Sequence, residues 1–73
     1  MTQNDLDKLI GILKSECRDI SIEVVLNPDE NTNPKELAIW GVYQLAERIN
    51  AIGLNNANQM RLSILNAYLK KYA

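Results

Sequence analysis

The chain has 73 residues, 47% hydrophobic and 23% charged, with a net charge of −1. That composition argues against disorder and gives room for a single domain, residues 1–73. A chain this short buries only roughly 60% of its unfolded surface. Its one cysteine and lack of histidine exclude an internal disulfide and the usual zinc sites, which leaves regular helix packing or self-association to complete the core.

In the first segment, Leu6, Ile10, Leu13, Cys17, Ile20 and Val24 recur at alternating spacings of four and three, one stripe of an α-helix. Asn4 reads as its N-cap, and Asp5 and Asp7 sit where the helix dipole favours acids. Pro28 requires the helix to stop by Asn27, because proline disfavours the helical region for the residue before it. A second pattern overlaps this helix. Ile20, Ile22, Val24 and Leu26 alternate with Ser21, Glu23 and Val25, and β-branching with alternation signals a strand. A lone strand at residues 20–26 has no partner within the chain, so this alternative requires pairing across a dimer. The continuous helix is the primary reading.

Residues 27–33, Asn-Pro-Asp-Glu-Asn-Thr-Asn, are turn chemistry. Asn27, Asp29, Asn31 and Asn33 alternate like the first ligands of a calcium loop. The pattern fails at the sixth position, Thr32 for glycine, and at the twelfth, Ala38 for glutamate. The second helix opens at Asn33-Pro34-Lys35-Glu36, an N-cap followed by proline at the first helical position. Ala38, Val42, Leu45, Ile49 and Ile52 form its stripe with Ala46 beside them, and Gly53 is placed to end it in a left-handed conformation. The third helix reads from an Asn56 cap with Gln59 as reciprocal partner. Leu62, Leu65, Leu69 and Tyr72 make its stripe, widened by Ala57, Ile64 and Tyr68. Short connections make the helices antiparallel neighbours, so the expected fold is an all-α three-helix bundle.

The same residues exclude most chemistry. Without histidine there is no Ser-His-Asp or Cys-His catalysis. Cys17 lies in the apolar stripe, where burial raises a thiol's pKa. Asp5/Asp7 and Asp29/Glu30 occupy solvated positions that do not separate two carboxyl pKa values. Gly11, Gly41 and Gly53 stand alone, so no phosphate loop is present. An acyl carrier domain needs an attachment serine at the start of its second helix, and Asn33-Pro34-Lys35-Glu36-Leu37 has none. No enzyme activity, metal or cofactor is expected.

Binding is the remaining class. On the second helix Trp40 falls nearly opposite the buried stripe, near Gln44 and Glu47, with Tyr43 at the margin. Aromatic residues of this kind dominate interface hot spots. Trp40, Tyr43, Gln44 and Glu47 are therefore the candidate partner-binding residues, and a homodimer or another protein is the expected partner. If instead the first or third helix covers Trp40, it belongs to the core.

Charge is unevenly spread. Residues 1–47 hold all nine acids and four bases, a balance of −5, while residues 48–73 hold Arg48, Arg61, Lys70 and Lys71 without an acid. The simplest reading is that the halves neutralise each other in the fold. Arg61 falls inside the apolar arc of the third helix, which predicts snorkelling or a pair with an acid of the first helix, and otherwise a place in a polar interface.

If residues 20–26 form a strand, the order strand–helix–helix over residues 20–72, with the Gly53 turn, resembles the ribbon-helix-helix repressors. That resemblance implies a dimeric DNA-binding transcriptional regulator, with Arg48, Arg61, Lys70 and Lys71 on phosphates. The outward strand positions Ser21, Glu23 and Val25 depart from it, since Glu23 would face DNA. The polar start, Met1-Thr2-Gln3-Asn4-Asp5, lacks the features of a signal peptide, and the apolar run from Leu37 to Tyr43 is too short to span a bilayer. The reading is therefore a cytoplasmic, non-catalytic interaction or regulatory module, self-associating, without membrane contact.

Overall fold

The computed structural model describes residues 1–30 and 32–72, with Ile22 and Val24 described by backbone alone. Its helices are α1 (Gln3–Cys17), α2 (Ile22–Leu26), α3 (Pro34–Ile52) and α4 (Gln59–Tyr72), with one 3-10 turn at Leu54–Asn56. No strand occurs among the described residues, and the three long helices form the expected small bundle.

Local chemistry explains each boundary. α1 is capped by Thr2 rather than Asn4: the Asp5 N–H donates to Thr2 Oγ1 at 3.2 Å, and the Thr2 N–H donates to Asp5 Oδ2 at 3.0 Å. This reciprocal box satisfies two backbone donors where Asn4 offers one. It also holds the Asp5 carboxyl below its ordinary pKa, the backbone bond from Thr2 being the larger cause and its hydroxyl the next.

The helix does not run on to Asn27. The Arg18 N–H turns back to the Ser15 carbonyl at 3.3 Å and the Ile20 N–H to the Cys17 carbonyl at 3.0 Å. Ser21 is then extended and caps α2, its hydroxyl accepting from the Glu23 N–H at 3.3 Å. Residues 20–26 are therefore neither part of one long helix nor a strand. β-branched residues weaken the helix enough for Ser21 to interrupt it, while an unpaired strand would leave its backbone groups without partners. With the strand goes the ribbon-helix-helix organisation.

α3 starts as its sequence predicts, the Lys35 N–H donating to Asn33 Oδ1 at 2.9 Å with Pro34 in the first turn. It ends at Gly53, whose φ of 91° is positive as expected while its ψ of 143° is extended rather than left-handed helical. Asn56 works in the opposite sense from the one expected: its Nδ2 donates to the Ile52 carbonyl at 2.7 Å, closing α3. Asn58 starts α4 instead, its Oδ1 accepting from the Arg61 N–H at 2.9 Å.

α1 and α3 are the principal pair, and α4 touches each less extensively. Gln3 Nε2 donates to Asn50 Oδ1 at 2.8 Å, tying the start of α1 to the end of α3, so the two run antiparallel. Buried between the helices are Leu6, Leu9, Leu13 and Cys17 of α1, Val42, Ala46 and Ile49 of α3, and Leu65 of α4. Leu9 was absent from the sequence stripe, which took Ile10 in its place. Ile10 is half-buried, as are Leu45, Leu62, Leu69 and Tyr72 around the core. Ala38, Ile52 and Ile64 are exposed. The side chain of Val24 and all of Asn31, from the calcium-like spacing, lie outside the described residues. A radius of gyration of 12.6 Å exceeds the about 11 Å of a compact chain this long. The bundle is elongated, so much of each helix meets solvent.

Candidate interaction surface

The outer face of α3 collects the aromatic and charged residues that the core leaves over. Tyr43 leans on the core from the margin, as its wheel position predicts. Trp40 is half-buried: it is neither covered as a core residue nor fully exposed, and it lies outside the buried cluster. The two rings sit 6.0 Å apart, tilted by 43°. That is the separation of a favourable aromatic pair, worth about 0.5–1.5 kcal/mol toward holding the two rings together. The Tyr43 pKa is pushed up, chiefly by the Glu47 side chain one turn further on and then by desolvation.

Beside this pair a groove of about 530 Å³ runs over α3 to the start of α4, lined by Gly41, Gln44, Leu45, Glu47, Arg48 and Arg61. Gly41, Leu45 and Arg48 recur at four and three residues and so share one face of α3. Arg61 reaches the same groove from α4. It is exposed, and among the described residues its guanidinium makes neither an ion pair nor a hydrogen bond; the same is true of Arg48. The expected pair between Arg61 and an acid of α1 is absent among the described residues. Asp29 aside, no acid of residues 1–47 forms an ion pair with Arg48, Arg61, Lys70 or Lys71 among the described residues.

The structure thus merges two residue sets that the sequence kept apart. Gln44 and Glu47, read as protein-binding, line one groove with Arg48 and Arg61, read as nucleic-acid-binding. Lys70 and Lys71 do not join them. They occupy the last turn of α4, roughly 14 Å along the helix from Arg61. Lys71 Nζ stands 5.7 Å from the Tyr68 ring and 5.9 Å from that of Tyr72, engaged by cation–π attraction.

Elsewhere, Cys17 is buried as expected, and desolvation first, then Glu16, raises its pKa. A smaller groove of about 330 Å³ on α1 is lined by Gly11, Lys14, Ser15 and Arg18. No group of three or more metal-ligating side chains occurs among the described residues. No helix among them is long and apolar enough to cross a membrane. The sequence reading missed the exposure of Leu26 (70%) and Met60 (75%). It also missed the groove itself, although Gly41-Leu45-Arg48 on one face and an arginine in the apolar arc of the next helix were the available signal.

No known protein family, characterised protein or solved structure matches the chain.

Proposed function

We propose that this chain is a non-catalytic protein–protein interaction or regulatory module that acts in the cytoplasm by self-association through the outer face of α3. The observation that carries the reading is the tilted Trp40–Tyr43 pair, half-buried beside a groove, with Tyr43 packed against the core and Trp40 outside it. Trp40 and Tyr43 supply rigid contact area, while Gln44 and Glu47 supply polar contacts at its edge. A small core gives a second copy something to add.

A nucleic-acid reading would use Arg48 and Arg61, but Glu47 shares their groove and would face phosphate. A protein surface, which carries both signs of charge, fits better.

The test is solution mass by light scattering across a concentration range, for the wild type and Trp40→Ala. The wild type is expected as a dimer. Trp40→Ala should weaken association about thirtyfold, the scale of a hot-spot tryptophan, with helicity nearly unchanged. A collapse of helix content would make Trp40 structural, and a wild-type monomer at every concentration would end the self-association reading.

A further inference from the structure

Two features remain unabsorbed. One is the Arg48/Arg61 pair, whose guanidiniums find no partner among the described residues although they border a groove. Gly41 lies in that groove, in mid-helix, and nothing stands within 4 Å of where its Cβ would be. The fold gives this glycine no steric reason, yet a bare backbone there lets another chain approach closely. The other feature is α2. Leu26 is 70% exposed, flanked by Glu23 three residues before and Glu30 four residues after, both exposed. α2 also packs little against the long helices among the described residues.

The two are complementary in charge and in apolar content: two arginines around Leu45 on one side, two glutamates around Leu26 on the other. We infer that the groove of one copy receives the α2 segment of a second copy, Leu26 against Leu45 beside Gly41, with Glu23 and Glu30 facing Arg48 and Arg61. This rests on the self-association reading and names its contact. Exchanged reciprocally, the contact closes as a two-fold dimer. Both acids and both arginines are exposed in the single chain, so the attraction is strongest at low salt.

The experiment exchanges the charges. One variant carries Arg48→Glu with Arg61→Glu, and the other Glu23→Arg with Glu30→Arg. Both change exposed side chains, and circular dichroism checks that each stays helical. By light scattering in low salt, each variant alone should dissociate with a dimer Kd raised at least about tenfold, because like charges then meet at both contacts. An equimolar mixture should recover the dimer, since each groove again meets an opposite charge. Gly41→Leu, which should keep its helix, should also weaken the dimer.

Variants that keep the wild-type mass, or a mixture that stays monomeric, would overturn the proposal. If Trp40→Ala nonetheless dissociates the wild-type dimer, the α3 face survives as the interface and only the α2 contact falls. A wild-type monomer overturns both. Retardation of a duplex DNA by the wild type that Arg48→Glu with Arg61→Glu abolishes would replace the second copy with nucleic acid.

Discussion

Gly11 and Gly41 carry a cost that nothing inside the molecule recovers. Each sits in mid-helix with open space around the missing Cβ, and glycine there is about 1 kcal/mol less favourable than alanine. Gly11→Ala should raise stability by about 0.5–1 kcal/mol, read as a rise in Tm, and Gly41→Ala should do the same in dilute solution, where no second copy occupies its groove. Gly53→Ala should lower it by more than about 1 kcal/mol, because a φ of 91° strains any side chain. A fall in Tm for Gly41→Ala would place its backbone in a contact, within the fold if the fall is independent of protein concentration and with the second copy if it fades on dilution. The Thr2–Asp5 box makes a separate prediction about acid. The native state holds the Asp5 pKa down, so its contribution is full above roughly pH 4 and fades as pH falls through the lowered value. Asp5→Asn should therefore flatten the acid limb of a Tm–pH profile measured by circular dichroism. An unchanged limb would mean that the box does not persist in solution.

Among the helices, α4 depends most on a single residue. Leu65 is its one fully buried side chain among those described, whereas α1 contributes four to the core. Leu65→Ala should cost about 2–5 kcal/mol, a large share of a stability expected at about 0.05–0.15 kcal/mol per residue. Hydrogen exchange should show residues 59–72 losing protection before α1 and α3. Equal loss everywhere would mean that the bundle opens as one unit. The helices also differed in how legible they were. α3 could be read from its ends because Asn33-Pro34 and Gly53 have strong conformational preferences. The true end of α1 could not, because its apolar periodicity runs smoothly past Cys17 to Val24. The decision there belongs to Ser21, whose hydroxyl competes for backbone N–H groups without disturbing the pattern. Asn56 and Asn58 show the same limit, since two asparagines two residues apart divide the closing of one helix and the opening of the next in a way that composition does not order.

For the molecule as a whole, the bundle and the burial of Cys17 were legible because hydrophobic spacing alone determines them. The candidate surface was legible in part. The wheel placed Trp40 off the buried stripe, but its half-burial and its tilt against Tyr43 are set by side-chain geometry that spacing along the sequence does not contain. Arg48 and Arg61 meet only because α4 folds back along α3, a relation between helices that no window along the sequence contains. The expected cancellation of charge by ion pairs failed even where the fold brings the two halves together: Glu47 lines the groove with Arg48 and Arg61, and among the described residues neither guanidinium pairs with it. The stretch from Arg18 to Asn33 has one further consequence. Among its described side chains none is fully buried, whereas Leu6, Leu9 and Leu13 of α1 are, and Gln3 bonds Asn50, so the described hold of α1 on α3 lies in the helices themselves. A connection of this kind contributes by keeping the two helices at high effective concentration. Severed within it, the molecule would become two complementary fragments, and the docking of α1 would pass from a property of the chain to one governed by dilution.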